Sequence, residues 1–235
     1  GLLALAASAP PLPAAPLPGE GLAPARCRIA VARDEAFCFY YDDTLELFRR
    51  LGAELCFFSP LQDAALPDGC GGLYLGGGYP ELHAQALAEN HAMRQAVRNA
   101  VQAGLPTLAE CGGFLYLQQT LTDPEGRAWP MAGVLEGRGF GTGKLGRFGY
   151  VTLTANRPTL LLRPGEALPA HEFHYWDCTE NGDALTAKKP VGRRSWPCVV
   201  ADGNLFAGFP HLYLPARPEC ALRFCRAAAR RRVGR

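Results

Sequence analysis

Four short apolar runs, three of them followed by a stretch with helical spacing, constrain this chain more than anything else in it. They are Arg28-Ile29-Ala30-Val31-Ala32, Glu54-Leu55-Cys56-Phe57-Phe58, Gly72-Leu73-Tyr74-Leu75 and Pro106-Thr107-Leu108-Ala109-Glu110. Between them, Asp42 or Asp43 can cap a helix through Leu45, Leu47, Phe48 and Leu51 that Gly52 ends. A second helix is expected from Glu89 to Ala103, stopped by Gly104, and a third from Gly113 to Leu121. Short strands without polar alternation suit a sheet covered on both faces, and their alternation with helices makes that sheet parallel. The expected class is α/β, a mostly parallel central sheet flanked by helices. After about residue 130 the pattern changes. Val134-Leu135, Gly149–Thr154, Cys198–Val200 and Leu205–Gly208 read as strands that join the sheet edge, and a last helix runs from Pro218 to about Arg231.

Residues 1–26, rich in Ala, Pro and Leu, read as a disordered or extended linker, which leaves 27–235 as the globular domain. The apolar Leu2–Ala7 has no basic residue ahead of it and is too short to span a bilayer. A chain beginning with Gly reads as a piece of something longer. The balance of 24 basic and 22 acidic residues gives no electrostatic argument for nucleic acid or a membrane, and the basic tail 226–235 reads as a solvated helix end. Nine cysteines without CxxC pairs argue against a disulfide framework or zinc ribbon and fit reduced thiols in the cytoplasm.

Leu108-Ala109-Glu110-Cys111-Gly112-Gly113-Phe114 places a cysteine where a strand turns into a helix, with two small residues after it. A nucleophile elbow needs this arrangement, because the turn is sharp and lifts the side chain above the sheet. The helix start beneath the sulfur favours negative charge, and the Gly112 N–H is left to bind a developing oxyanion. Cys38, Cys56 and Cys198 lie inside apolar runs and are expected to be buried packing residues.

A cysteine nucleophile needs a base. Of five histidines, His83 and His91 lie on a polar helical stretch and are expected at the surface. His211, in Phe209-Pro210-His211-Leu212-Tyr213, ranks slightly above the pair in His171-Glu172-Phe173-His174, because it follows a strand that would return beside the elbow. The latter segment is not HExxH and lacks thiolate partners at usable spacing, so contact with a polar substrate or partner domain is expected of His171, Glu172 and His174, and no metal. Gly76-Gly77-Gly78 closes a parallel strand, where ligands of open α/β sheets sit. No P-loop Lys-Ser/Thr or GxGxxG spacing accompanies it, which leaves a second oxyanion donor or a plain turn.

The segments ARDEAFCFYY (32–41), FFSPLQD (57–63), LYLGGGYPE (73–81), LAECGGFLYL (108–117), RFGYVTL (147–153) and HEFHY (171–175) together resemble, in this order, the C-terminal glutaminase domain of the cobyrinate a,c-diamide synthase family, of class I glutamine amidotransferase type. The resemblance covers about residues 28–225 and implies a flavodoxin-like fold. It implies Cys111 as nucleophile on glutamine, His211 as its base, and Gly77 or Gly78 with Gly112 as oxyanion donors. It implies no cofactor in this domain, and an N-terminal synthetase domain in cis that uses ATP and Mg²⁺ to amidate a corrinoid. Cobyric acid synthase, a nickel-sirohydrochlorin a,c-diamide synthase and a non-catalytic docking domain are the alternatives. The chain departs from the pattern near His211. Tyr213 stands where the family has a second His and many class I amidotransferases have a Glu, and Gly208-Phe209 stands in place of Ser-Tyr.

Overall fold

The computed structural model describes residues 1–11 and 15–231. In chain order, α1 (Leu2–Ala7) precedes β1 (Cys27–Ala32), α2 (Asp42–Arg50), β2 (Ala53–Phe58), β3 (Gly72–Leu75), α3 (Ala84–Glu89), α4 (His91–Gln102), β4 (Thr107–Glu110) and α5 (Gly112–Tyr116). The second half holds β5 (Thr120–Thr122), β6 (Ala128–Pro130), β7 (Arg138–Gly141), β8 (Phe148–Ala155), β9 (Ala167–Phe173), β10 (Trp176–Cys178), β11 (Leu185–Lys188), β12 (Ser195–Cys198), β13 (Val200–Asp202), β14 (Leu205–Gly208), β15 (His211–Leu212) and α6 (Pro218–Arg230).

The central sheet has the order β13-β14-β4-β3-β1-β2. All its neighbours pair parallel except β13, which runs antiparallel to β14 at the edge. Alternate residues feed its two faces, as the pleat requires. Ile29, Val31, Tyr74, Leu108 and Phe206 pack with α2 and α6, whereas Ala30, Ala32, Leu73, Leu75, Ala109 and Ala207 pack with α3, α4 and α5. The apolar runs that looked uninterrupted in sequence are buried on both faces for this reason. α2 starts at Tyr41 without a side-chain cap, so neither Asp42 nor Asp43 acts as the expected cap. Both sit in the first turn and Arg49 and Arg50 in the last, where each sign suits the helix dipole. Gly52 ends the helix at φ +94.

The second half departs from expectation. Only β13 and β14 join the central sheet. A five-stranded sheet, β12-β11-β8-β9-β15, and a four-stranded one, β10-β7-β5-β6, stand apart from it. The face of Val151, Leu153, Leu168, Leu185 and Ala187 is continuous with the α2–α6 side of the core. The chain passes from the second sheet to the first at Val199, whose φ of +68 is rare for a β-branched residue, and passes back between Gly208 and His211.

Further expectations change. α5 ends at Tyr116 instead of reaching Leu121, because the Tyr116 and Leu117 carbonyls accept from Ala132 and Leu135 of a returning loop. Gln118 Nε2 also donates to the Phe114 carbonyl. Val134-Leu135 accordingly forms that loop and no strand. The helix expected over 89–103 is two helices broken at Asn90, whose side chain accepts from the Met93 N–H and starts α4. In the N-terminal segment Leu2–Ala7 is helical with no buried residue, while Leu22 and Ala25 rest on the core and the Ala25 N–H donates to the Leu51 carbonyl. Residues 12–14 of the expected linker and 232–235 of the basic tail lie outside the described residues. Among the described residues no helix is long and apolar enough to cross a membrane.

Candidate active site

Cys111 sits between β4 and α5 with φ 46 and ψ −102, a conformation an L-residue adopts only when its surroundings impose it. Those surroundings are backbone. The Cys111 N–H donates to the Gly208 carbonyl at 2.8 Å and the Gly113 N–H to the Gly76 carbonyl at 2.9 Å, so β14 and β3 clamp the turn from both sides. A side chain on Gly113 would overlap the Leu75 carbonyl. The elbow therefore needs its glycine by contact, as the sequence pattern anticipated.

The glycine run lies against the elbow. The Gly77 N–H is already bonded to the Phe39 carbonyl. Among the described residues the Gly78 and Gly112 N–H groups have no bonded acceptor, and a Cβ on Gly112 would stand 3.1 Å from the Gly78 nitrogen. Of the glycines in the run, Gly78 is thus the one whose free donor sits beside Gly112. Its φ of +153, and the Ala36 carbonyl that a Cβ would strike, restrict the position to glycine.

His211 reaches the same place from the second sheet. Its strand β15 has two residues, paired antiparallel with β9 so that His211 faces His171 across the ladder. The ring is 5% exposed and leans on Phe39, with centroids 4.5 Å apart. Burial opposes charging the ring, but the Cys111 sulfur and the Glu110 carboxylate raise its pKa to about 10. The structure thus brings His211 to the elbow beside Cys111.

Beside them opens a cavity of about 270 Å³ lined by Phe39, Tyr79, Cys111, His171, Phe173 and His211, with Gly78 at its wall. The volume suits a small amino acid better than a nucleotide. A second hollow of about 330 Å³, between Tyr41, Tyr150, Pro169 and Tyr213, shares His171 as its wall with the first.

The HEFH segment divides. His171 lines both hollows, whereas Glu172 and His174 point inward and are buried, so those two do not present themselves to a substrate or partner as expected. Glu172 accepts from Trp196 Nε1 at 3.2 Å and lies 3.5 Å from His174 Nε2. The His174 ring stacks on Phe209 at 4.0 Å, and Phe209 meets Phe114 of α5 edge-on. Among the described residues no group of three His, Cys, Asp or Glu is arranged to hold a metal ion.

Other residues change their reading. Cys38 is exposed and Cys56 half-exposed, because Phe37 takes the inward position beside Cys38 and β2 is an edge strand; Cys198 is buried as expected. His91 is exposed and His83 half-buried, and neither lines the cavity at Cys111. Sequence reasoning missed Phe39, a wall of the cavity, and Glu110, which lies within 3.8 Å of His211. The only signal for Glu110 was a charged residue inside an otherwise apolar strand.

The family described as the CobB/CobQ-like glutamine amidotransferase domain matches residues 28–218. Cobyrinate a,c-diamide synthase of Salmonella typhimurium is 44% identical over 216 residues, which cover 90% of this chain and 47% of that protein. Hydrogenobyrinate a,c-diamide synthase of Pseudomonas aeruginosa is 44% identical over 196 residues, 83% of this chain and 43% of that protein. The chain thus spans about half the length of the curated relatives it matches. Among solved structures, PurLQS of Thermotoga maritima superposes with a TM-score of 0.59 at 19% identity, over 85% of this chain and 96% of that one. A glutamine amidotransferase of the same organism gives 0.54 at 12% identity, over 80% and 76%.

Proposed function

The chain belongs to the CobB/CobQ-like glutamine amidotransferase domain family, and from that membership and the geometry of its elbow we propose that it is the glutaminase half of an enzyme that amidates the a and c carboxylates of cobyrinic or hydrogenobyrinic acid. The observation that carries the reading is the strained Cys111 with His211 beside it and two free N–H groups, of Gly78 and Gly112, within the same small cavity.

Glutamine enters with its side-chain amide over Cys111. The sulfur, as thiolate, attacks the amide carbon, and the oxygen takes negative charge beside the Gly78 and Gly112 N–H groups, which stabilise it where it forms. The His211 imidazolium gives its proton to the leaving nitrogen, the C–N bond breaks, and ammonia departs from a glutamyl thioester. His211, now neutral, takes a proton from water. The hydroxide attacks the thioester, the C–S bond breaks, and glutamate leaves with the thiolate–imidazolium pair restored.

Ammonia requires an acceptor, and the surface around the cavity points to where it goes. Phe148, Tyr150, Phe173 and Tyr175 are exposed there, Tyr150 by 75%, and three of them join edge to face, Phe148 to Phe173 and Phe173 to Tyr175. Contiguous exposed aromatic surface of this kind suits a protein interface. The occupant we propose is the remaining half of the same polypeptide, which the relatives' length supports. That half would hold ATP, Mg²⁺ and the corrinoid, and the enzyme would work in the cytoplasm.

The test is Cys111→Ala in the full-length enzyme. Glutamine-dependent diamide formation should fall by about 10³-fold or more while ammonium salts still support amidation. Assays with cobyrinic and hydrogenobyrinic acid as parallel arms report the corrinoid. Unchanged use of glutamine by the variant would remove the assignment.

A further inference from the structure

Position 213 is tyrosine, so the place two residues after His211 supplies no carboxylate to orient the ring. The structure nevertheless brings one carboxylate to it. Glu110, the last residue of β4, is 2% exposed and lies with Oε2 3.8 Å from His211 Nδ1. The Tyr74 hydroxyl donates to Oε2 at 3.2 Å, and the Leu212 N–H donates to Oε1 at 3.3 Å. We propose that Glu110 is the positioning residue of the catalytic pair, holding the His211 ring and its positive charge from the strand before the nucleophile. This inference rests on the glutaminase reading above.

Three observations carry it. First, both oxygens of Glu110 accept hydrogen bonds from donors, as an ionised carboxylate does, and a buried carboxylate requires a nearby positive charge. His211 is the cationic partner within 4 Å. Second, His211 Nδ1 is buried and has no hydrogen-bond partner among the described residues, and Glu110 Oε2 is the acceptor it faces. A gap of 3.8 Å exceeds a hydrogen bond, and catalytic contacts often tighten to bonding distance only when substrate is bound. With Nδ1 turned to Glu110, Nε2 is left for the Cys111 sulfur. Third, Glu110 fixes the backbone as well as the ring, because the Leu212 N–H it accepts belongs to the two-residue strand that carries His211.

The other titratable groups around the pair sort accordingly. Cys111 on the elbow is one of the groups that raise the His211 pKa, and Tyr74 on β3 is buried and donates to Glu110. Tyr40 and Tyr41 lie close enough to feel the Glu110 charge. His171 on β9 opposes a second positive charge, its own pKa being lowered by burial and by His211. Glu110 is therefore the group that compensates the imidazolium from the side away from the thiol.

The experiment uses full-length protein carrying Glu110→Gln, with Glu110→Asp as the conservative variant. Cys111 alkylation by iodoacetamide, followed at its own peptide by mass spectrometry, reads the thiol–imidazole pair without glutamine, so it fails separately from the glutaminase assignment. Glu110→Gln should lower kcat for glutamine hydrolysis about 10²-fold with KM changed less than about threefold. It should also move the basic limb of the alkylation profile down by about one pH unit or more, because the imidazolium loses its compensating charge. Glu110→Asp should recover part of both. Superimposable pH profiles for wild type and Glu110→Gln, with only the melting temperature lowered, would reduce Glu110 to a packing residue and overturn the proposal. If Glu110→Gln does not fold, ¹⁵N-histidine spectra of the wild-type full-length protein decide. A His211 ring protonated on both nitrogens at pH 8 supports the proposal, and a neutral ring with bare Nδ1 defeats it.

Discussion

The carboxyl edge of the central sheet and the tip of the second sheet each deliver half of the site, by different physical means. At the central sheet the thiol and the free amides are fixed by backbone. Cys111 and Gly113 are bonded to Gly208 and Gly76, and the register β3-β4-β14 admits no adjustment without breaking ladder bonds. At the second sheet the imidazole rides on two residues, and side chains hold the sheet to the rest. Arg217 Nη1 donates to the Ala167 carbonyl at 2.8 Å and Arg223 Nη2 to Glu166 at 2.8 Å. The nucleophile's position is thus a property of one sheet, and the base's position is an agreement between two. Damage near the first should unmake the elbow, whereas damage near the second should detune it.

Gly113→Ala tests the first half of that contrast. Its Cβ would drive into the Leu75 carbonyl, which cannot yield without pulling β3. Denaturant unfolding should show a loss of about 1–3 kcal/mol, the range for overpacking, together with loss of rapid Cys111 alkylation. A stable, reactive variant would mean the elbow is looser than its contacts imply. Gly77→Ala probes the seam. The added methyl would overlap His211 Cε1, the end of a side chain that can turn aside, while the Gly77 backbone is unstrained. Glutamine hydrolysis should fall about 10²-fold with little change in melting temperature. Equal damage to both would make the two regions one rigid unit. Glu166→Gln tests the side-chain latch. Arg223, with help from the Arg163 N–H, holds the Glu166 carboxyl at about 2, below its ordinary 4.5. A depressed acid contributes stability above its unfolded pKa and loses it as pH falls, so the contribution should vanish between about pH 4.5 and 2. The pair is partly solvated, so at neutral pH the substitution should cost no more than about 1 kcal/mol, less in high salt. A pH-stability curve parallel to wild type would show that the latch carries nothing.

The contrast also explains what could be read from sequence. The elbow was legible because its requirements are local: an apolar strand, a cysteine, two glycines and an apolar turn of helix within seven residues. The parallel strands were legible because burial on both faces leaves no polar alternation. The second half was not, since Val151 and Leu153 alternate with Thr152 and Thr154 in a way that fits either an edge addition or a separate sheet, and only long-range packing decides. The early end of α5 depends on the Ala132 and Leu135 N–H groups, which no reading of residues 113–121 contains. Glu110 looked like a polar interruption, and its partners Tyr74 and Leu212 lie 36 and 102 positions away. His211 ranked only slightly above the HEFH pair because the order of strands, and not their composition, puts it beside Cys111.

The chain crosses between its sheets at Val199 and again after Gly208, and only the second crossing brings the base home. Severing the polypeptide in the exposed turn at Gly203 would therefore give two unequal fragments, one owning the sulfur and the other the ring, with β13 and β14 facing each other across the cut. Each fragment would be chemically mute alone. Return of thiol reactivity on mixing would make this seam a built-in reporter of reassembly.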